Sequence, residues 1–172
     1  DTDYRFAMEP AGPLTDWIGT PLAAVTDDID GTLRDASRHG LAVCDTVAVL
    51  RFDGALLFAN SSALITEFER WLSDRPRVRV VILAGTTLSH MDAVRARHFW
   101  EFVQHVRERS IRVALCHVAE QVADVLAETG VAADIGADSI FPSVSQALQA
   151  IFTEDRDLAD DDCPLVKMIA DR

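Results

Sequence analysis

The sequence predicts an α/β domain built on a mostly parallel sheet with one antiparallel hairpin partner, and three observations carry that expectation. Short apolar runs of strand length alternate with stretches whose apolar residues recur every three or four positions, the mark of amphipathic helices. An Asp53-Gly54 pair sits between two apolar runs, and glycine accepts the positive φ that tight two-residue hairpin turns demand. The resulting order is β-β-α-β-α-β-α-β-α. Such an order implies right-handed crossovers between parallel strands, here with the helices mainly on one face of the sheet.

The elements follow in turn. Residues 1–24 are rich in Pro, Gly and Ala, with Trp17 and Ile18 as isolated anchors, and Asp27 to His39 is polar with only Ile29 and Leu33 apolar, so residues 1–45 predict an N-terminal arm or linker. Val47 to Phe52 and Ala55 to Phe58 form the hairpin. Asn60, Ser61 or Ser62 can accept a free amide at the first turn of the next helix, whose face is Leu64, Phe68, Trp71 and Leu72 and which ends before Pro76. Val78 to Leu83 is β-branched and suits a buried central strand. Asp92 is the expected cap of a helix with a Phe99, Phe102, Val103 and Val106 stripe, and Ile111 to Cys116 is the next strand. Val118, Val122, Val125 and Leu126 line a third helix closed by Gly130, and Asp138 to Phe141 gives a last short strand. Ser143 and Gln146 have capping-box spacing ahead of Val144, Leu148, Ile151 and Phe152. Residues 46–153 are thus the expected domain. Residues 154–172 form an acidic tail around Asp160-Asp-Asp162, in which Leu165, Val166, Met168 and Ile169 could make a short docking helix, although the favoured expectation is a disordered or partly docked terminus.

At 172 residues the chain suits one well-filled core, and half of it is apolar. No run approaches the length of a membrane span, and the start is not that of a secretory signal, so a soluble domain is expected. The chain begins with Asp1 rather than Met, as an excised piece of a longer protein would. Cys44, Cys116 and Cys163 are odd in number and widely spaced, which suits buried thiols in a reducing compartment rather than a disulfide framework or a metal knuckle.

A net charge of −12 argues against nucleic acid as a partner. The charge is uneven: nine arginines face four acids between Arg70 and Arg112, so a positive patch could meet anionic lipid, an acidic protein or a small anion. Its plainer reading is a normally solvated surface. Catalytic signatures are missing. No glycine-rich dinucleotide or Walker loop occurs, no serine sits in a nucleophile elbow, and His39, His90, His98, His105 and His117 have no metal-ligand spacing beyond the single pair His98 and His105. Neither an enzyme nor a cofactor or metal is expected. The loop Ala84-Gly-Thr-Thr-Leu-Ser-His-Met-Asp-Ala-Val-Arg95 leaves the carboxyl end of the central strand, where open α/β sheets bind ligands. Free amides at the helix start, with Arg95 and Arg97 nearby, would favour an anion there, although an ordinary capped connection accounts for the same residues.

Three stretches together resemble the STAS domains, a family named for sulfate transporters and anti-sigma factor antagonists. They are Leu50-Arg-Phe-Asp-Gly-Ala-Leu-Leu-Phe-Ala-Asn60, the central strand leading to His90-Met-Asp92, and Gly136-Ala-Asp-Ser-Ile-Phe-Pro-Ser-Val-Ser-Gln-Ala-Leu148. The first is similar to the cytoplasmic C-terminal domain of SulP-type anion transporters. The resemblance implies a STAS-like (SpoIIAA-like) fold and a non-enzymatic regulatory or interaction domain of a SulP-like transporter, cytoplasmic and held at the membrane. The partners it implies are the transporter's membrane domain or another protein, with a small anion or anionic lipid as candidate ligand at Arg95 and Arg97 and a homodimer through the parent transporter. Kinase-regulated members carry Asp-Ser-Ser/Thr-Gly at the start of the second major helix. Here the matching residues are Asp92-Ala93-Val94-Arg95, so the phosphoacceptor position is Val94, which has no oxygen to modify. An aspartate common at the end of the preceding strand matches Ala84; Thr86, Thr87 and Ser89 lie away from the acceptor position. The rival reading is a free-standing anti-sigma-factor-antagonist-like protein without the usual phosphoacceptor. The candidate interaction surface comprises Asn60, Ser61, Ser62, Ser89, His90, Asp92, Arg95 and Arg97, at one edge of the sheet.

Overall fold

Both faces of the central strands are apolar, and that alternation decides the layering. The computed structural model describes residues 22–23, 34–35, 44–51, 61–85, 90–159 and 163–170. Strands β3 (Val47–Arg51), β4 (Val80–Ala84), β5 (Arg112–Cys116) and β6 (Ile140–Phe141) form one sheet in the order β3-β4-β5-β6, every pair parallel. Val47 pairs with Val80 and Val80 with Arg112, so the three long strands run in step. A two-residue antiparallel pair, β1 (Leu22–Ala23) with β2 (Arg34–Asp35), lies ahead of the sheet, and β1 approaches β3. The predicted second hairpin strand, Ala55 to Phe58, lies outside the described residues.

Because side chains alternate along a strand, each strand feeds two cores. Ala48, Leu50, Val81, Leu83, Val113 and Leu115 face helices α1 (Ser61–Ser73), α2 (Ala93–Glu108), α3 (Glu120–Glu128) and α4 (Val131–Ile135). Val47, Val49, Val80, Ile82, Ala84, Ala114 and Cys116 face α5 (Val144–Glu154) and α6 (Pro164–Ala170). Most of the described helices therefore cover one face, as expected, while α5 and α6 close the other.

The local signals act as their chemistry dictates. Asp92 Oδ1 accepts the Arg95 amide at 2.8 Å, and Ser143 Oγ accepts the Gln146 amide at 3.3 Å, each satisfying a donor in the first turn of its helix. Gly130 follows α3 with φ +79°, the left-handed stop that its position predicted. Helix α2 ends in the same way on a residue less suited to it: Ser110 has φ +60°, its amide donates to Arg107 O at 2.8 Å, and Ile111 N reaches Val106 O at 3.4 Å. Three departures from expectation are small. The predicted Asp138–Phe141 strand is mostly a 3-10 turn, Ala137–Ser139, with only Ile140 and Phe141 paired. The central strand starts at Val80, although Val78 is buried all the same. The acidic tail is not all solvent: α6 buries Leu165 and packs Val166 and Ile169 on the α5 side.

Candidate functional site

Helices α1 and α2 run side by side, and the contacts between them orient the site. Phe68 meets Phe102 edge-on, with ring centroids 5.3 Å apart. Next to Phe68 on α1, the Glu69 carboxylate receives His105 Nε2 at 2.7 Å, Arg109 Nε at 2.8 Å and a second Arg109 bond through Nη2. These pairings join the carboxyl-terminal halves of both helices. Their amino-terminal turns, beginning at Ser61 and Ala93, consequently lie together at the end of the sheet where β3 and β4 finish at Arg51 and Ala84.

That end holds those residues singled out from sequence that the structure describes. Ser62, His90 and Asp92 are exposed, and Val94 stands 64% exposed at the start of α2. Asn60 and Ser89 lie outside the described residues, as does the side chain of Ser61. The two arginines differ. Arg97 is exposed and pairs with Glu101 at 3.3 Å along its own helix. Arg95 is half-buried, with 19% of its side chain accessible, and folds back so that its guanidinium lies 3.7 Å from Asp92 and 3.4 Å from the His90 carbonyl. Arg95 thus holds the capped turn together while Arg97 projects from it.

The expected positive patch is largely neutralised within the fold. Arg77 pairs with Asp45 at 3.0 Å, Arg79 with Asp155 at 3.3 Å, Arg112 with Glu154 at 2.5 Å and Arg109 with Glu69, while Arg107 donates to the Asp134 and Ile135 carbonyls. Arg75 bonds the Trp71 carbonyl and lies over the Trp71 ring. The arginine excess of residues 70–112 arises because its acidic partners come from other elements, which a count along the chain does not reveal.

Among the described residues no group of three or more His, Cys, Asp or Glu is placed to hold a metal ion, and no helix is long and apolar enough to cross a membrane. His105, which could have shared a helix face with His98 as a ligand, is instead bound to Glu69. An open cleft of about 460 Å³ lies between the carboxyl ends of α1 and α2, lined by Glu69, Leu72, Pro76, Val78, Arg109 and Ile111. It is at the opposite end of the two helices from Val94.

The Glu69 cluster has a pH signature. The Arg109 guanidinium, assisted by His105, holds the Glu69 carboxyl down at about 2. A depressed carboxyl stabilises the fold fully above its unfolded value and loses that contribution as pH falls through the folded one. Glu69→Gln should therefore cost about 1 kcal/mol at pH 7, the modest value of a partly exposed ion pair, and the difference from the parent should close between about pH 4.5 and 2. Urea midpoints of both proteins across that range check it; a constant difference would show that packing, not ionisation, carries the residue.

Residues 41–147 match the STAS domain family. The chain is 25% identical over 145 residues to sulfate transporter 1.3 of Arabidopsis thaliana, a match that covers 77% of this chain and 22% of that protein. It therefore spans about a fifth of that relative's length. The STAS domain of a SulP transporter from Vibrio cholerae superposes with a TM-score of 0.57 at 22% identity, over 70% of this chain and 93% of that one. The murine Slc26a9 anion transporter in its inward-facing state gives 0.60 at 19% identity, over 78% and 22%. An RsbS variant from Moorella thermoacetica gives 0.51 at 17%, over 67% and 95%. The structural likenesses establish a common fold.

Proposed function

The chain belongs to the STAS domain family, and from that premise we propose that it is the non-enzymatic regulatory and interaction domain of a SulP-like membrane anion transporter, held on the cytoplasmic side of the membrane. Its partner is then the transporter's own membrane domain or a protein that acts on it. The boundaries proposed from sequence fit this role: residues 1–45 as connector, 46–153 as the domain, and 154–172 as a C-terminal extension of which α6 packs on the core.

The observation that favours this reading over a phosphorylation-switched signalling protein is Val94. It occupies the exposed first turn of α2, where a kinase could reach it, and it offers a kinase no oxygen. The likeness to RsbS keeps the free-standing protein as the rival. The working surface is the pair of amino-terminal turns, with Ser62, His90, Asp92, Val94 and Arg97 outermost and Arg95 beneath them.

Size and attachment in the source cells separate the two. An antibody to this domain should detect a protein several times its length that stays with the membrane pellet after an alkaline wash. A soluble species no larger than this chain would overturn the transporter reading and establish the rival.

A further inference from the structure

Helices α1 and α2 end side by side, and the chain leaves each of them for a different strand. Helix α1 stops at Ser73, where its last carbonyls are taken up locally: Ser73 Oγ donates to Arg70 O at 2.7 Å and the Arg75 amide to Leu72 O at 2.8 Å. Helix α2 stops at Glu108, and the left-handed Ser110 turns the chain toward Ile111. The first turn leads into β4 and the second into β5, and the gap between them is the open cleft of about 460 Å³, a volume within the range of ligand sites. Its floor is apolar. Val78 and Ile111 are buried members of the core, and Leu72 and Pro76 lie beside them.

The rim is acidic. Glu69 and Arg109 both line the cleft but are bonded to each other, so their charges offset. Glu108 remains: it is exposed, it lines the cleft, and it pairs with no described residue. Each of the two helices ending here adds the negative pole of its peptide dipoles. Such a rim repels an anion, and a wholly apolar group would strip water from Glu108 without replacing it. Arginine and lysine have the matching form, an aliphatic stem that lies on apolar surface and a cationic head that stays at its margin.

We propose that this cleft docks a basic segment of a partner protein, in which an arginine or lysine lays its stem over Val78 and Ile111 and sets its cation against Glu108, while an adjacent apolar residue covers Leu72 and Pro76. The net charge of −12 on the chain draws such a segment in. The site lies at the far end of α1 and α2 from Val94, so it is separate from the amino-terminal turns. It does not depend on whether the domain belongs to a transporter.

The test is titration of the isotopically labelled chain with N-acetyl-leucyl-arginine amide at low salt, with backbone amide shifts followed by NMR. The expected result is saturable shifts at Leu72, Ser73, Val78, Glu108, Ser110 and Ile111, with a Kd of about 1 mM or tighter that weakens as salt is added. Glu108→Lys, an exposed change to a residue type that suits a helix end, should weaken binding about tenfold and leave the melting temperature unchanged. N-acetyl-leucyl-glutamate amide should leave the cleft amides unmoved, and spermidine, a cation with no apolar neighbour, should bind there far more weakly than the arginine peptide. Equal binding by the glutamate peptide or by spermidine, shifts at the amino-terminal turns in place of the cleft, no shifts at about 10 mM arginine peptide, or an unchanged Kd in Glu108→Lys would each overturn the proposal.

Discussion

Phe68→Ala is expected to remove about 3–5 kcal/mol of stability, the range for truncating a fully enclosed aromatic ring. Phe68 is wholly inaccessible, stands edge-on to Phe102 at 5.3 Å, and stacks on Trp71 at 5.8 Å. It is the point where α1 is pinned to α2, so the cavity left by alanine opens between two helices that must also cover Leu50 and Leu83. Since whole domains are stable by only about 5–15 kcal/mol, a loss of this size would leave a large fraction unfolded at physiological temperature. Phe68→Leu, which keeps most of the volume, should cost far less. Urea unfolding of the three proteins measures both steps, and a loss below about 1 kcal/mol for the alanine variant would mean that the helices close over the gap.

The second large effect concerns the proposed interaction surface. Val94→Asp combined with Arg97→Glu is expected to weaken association with the partner or, on the proposed transporter reading, to lower anion uptake, by about tenfold or more, the consequence of losing about 1.4 kcal/mol at a contact. Both side chains are exposed and, three residues apart on α2, share a face, so thermal unfolding should barely change. Arg95→Glu provides the contrast: its half-buried guanidinium lies against Asp92 and the His90 carbonyl, and its reversal should lower stability as well as binding. Unaltered uptake and association in the double variant would sink the assignment of this surface.

Much of the fold was legible because its signals are local. Asp92, Ser143 and Gly130 act within one turn of their own helices, and a three-four period is enough to mark Leu64 with Phe68 or Phe99 with Val103. What escaped sequence depends on contacts made at a distance. The short helix Val131–Ile135 carries only two buried residues, too few to show a period. Helix α6 looks polar by its surroundings, and only the apolar sheet face beneath it explains why Leu165 is buried. At the candidate site the cap was readable and the roles of the arginines were not. Arg95 and Arg97 look alike in sequence, and the path of the chain before α2 decides that one braces the turn and the other leaves it. The Glu69 clamp was likewise invisible, since it joins residues brought together only by the packing of α1 on α2.

The shortness of β6 bears on how copies of this domain could assemble. An outermost strand with open backbone donors and acceptors is a template on which another chain can add a strand. Here the β6 edge presents only the paired residues Ile140 and Phe141, between a 3-10 turn and the cap of α5. A neighbour docking along it would gain too brief a ladder to outweigh the entropy of association. Self-association of the domain, including any pairing of two transporters through it, is thereby steered away from sheet extension at that edge and toward helix faces, where side chains rather than backbone select the partner.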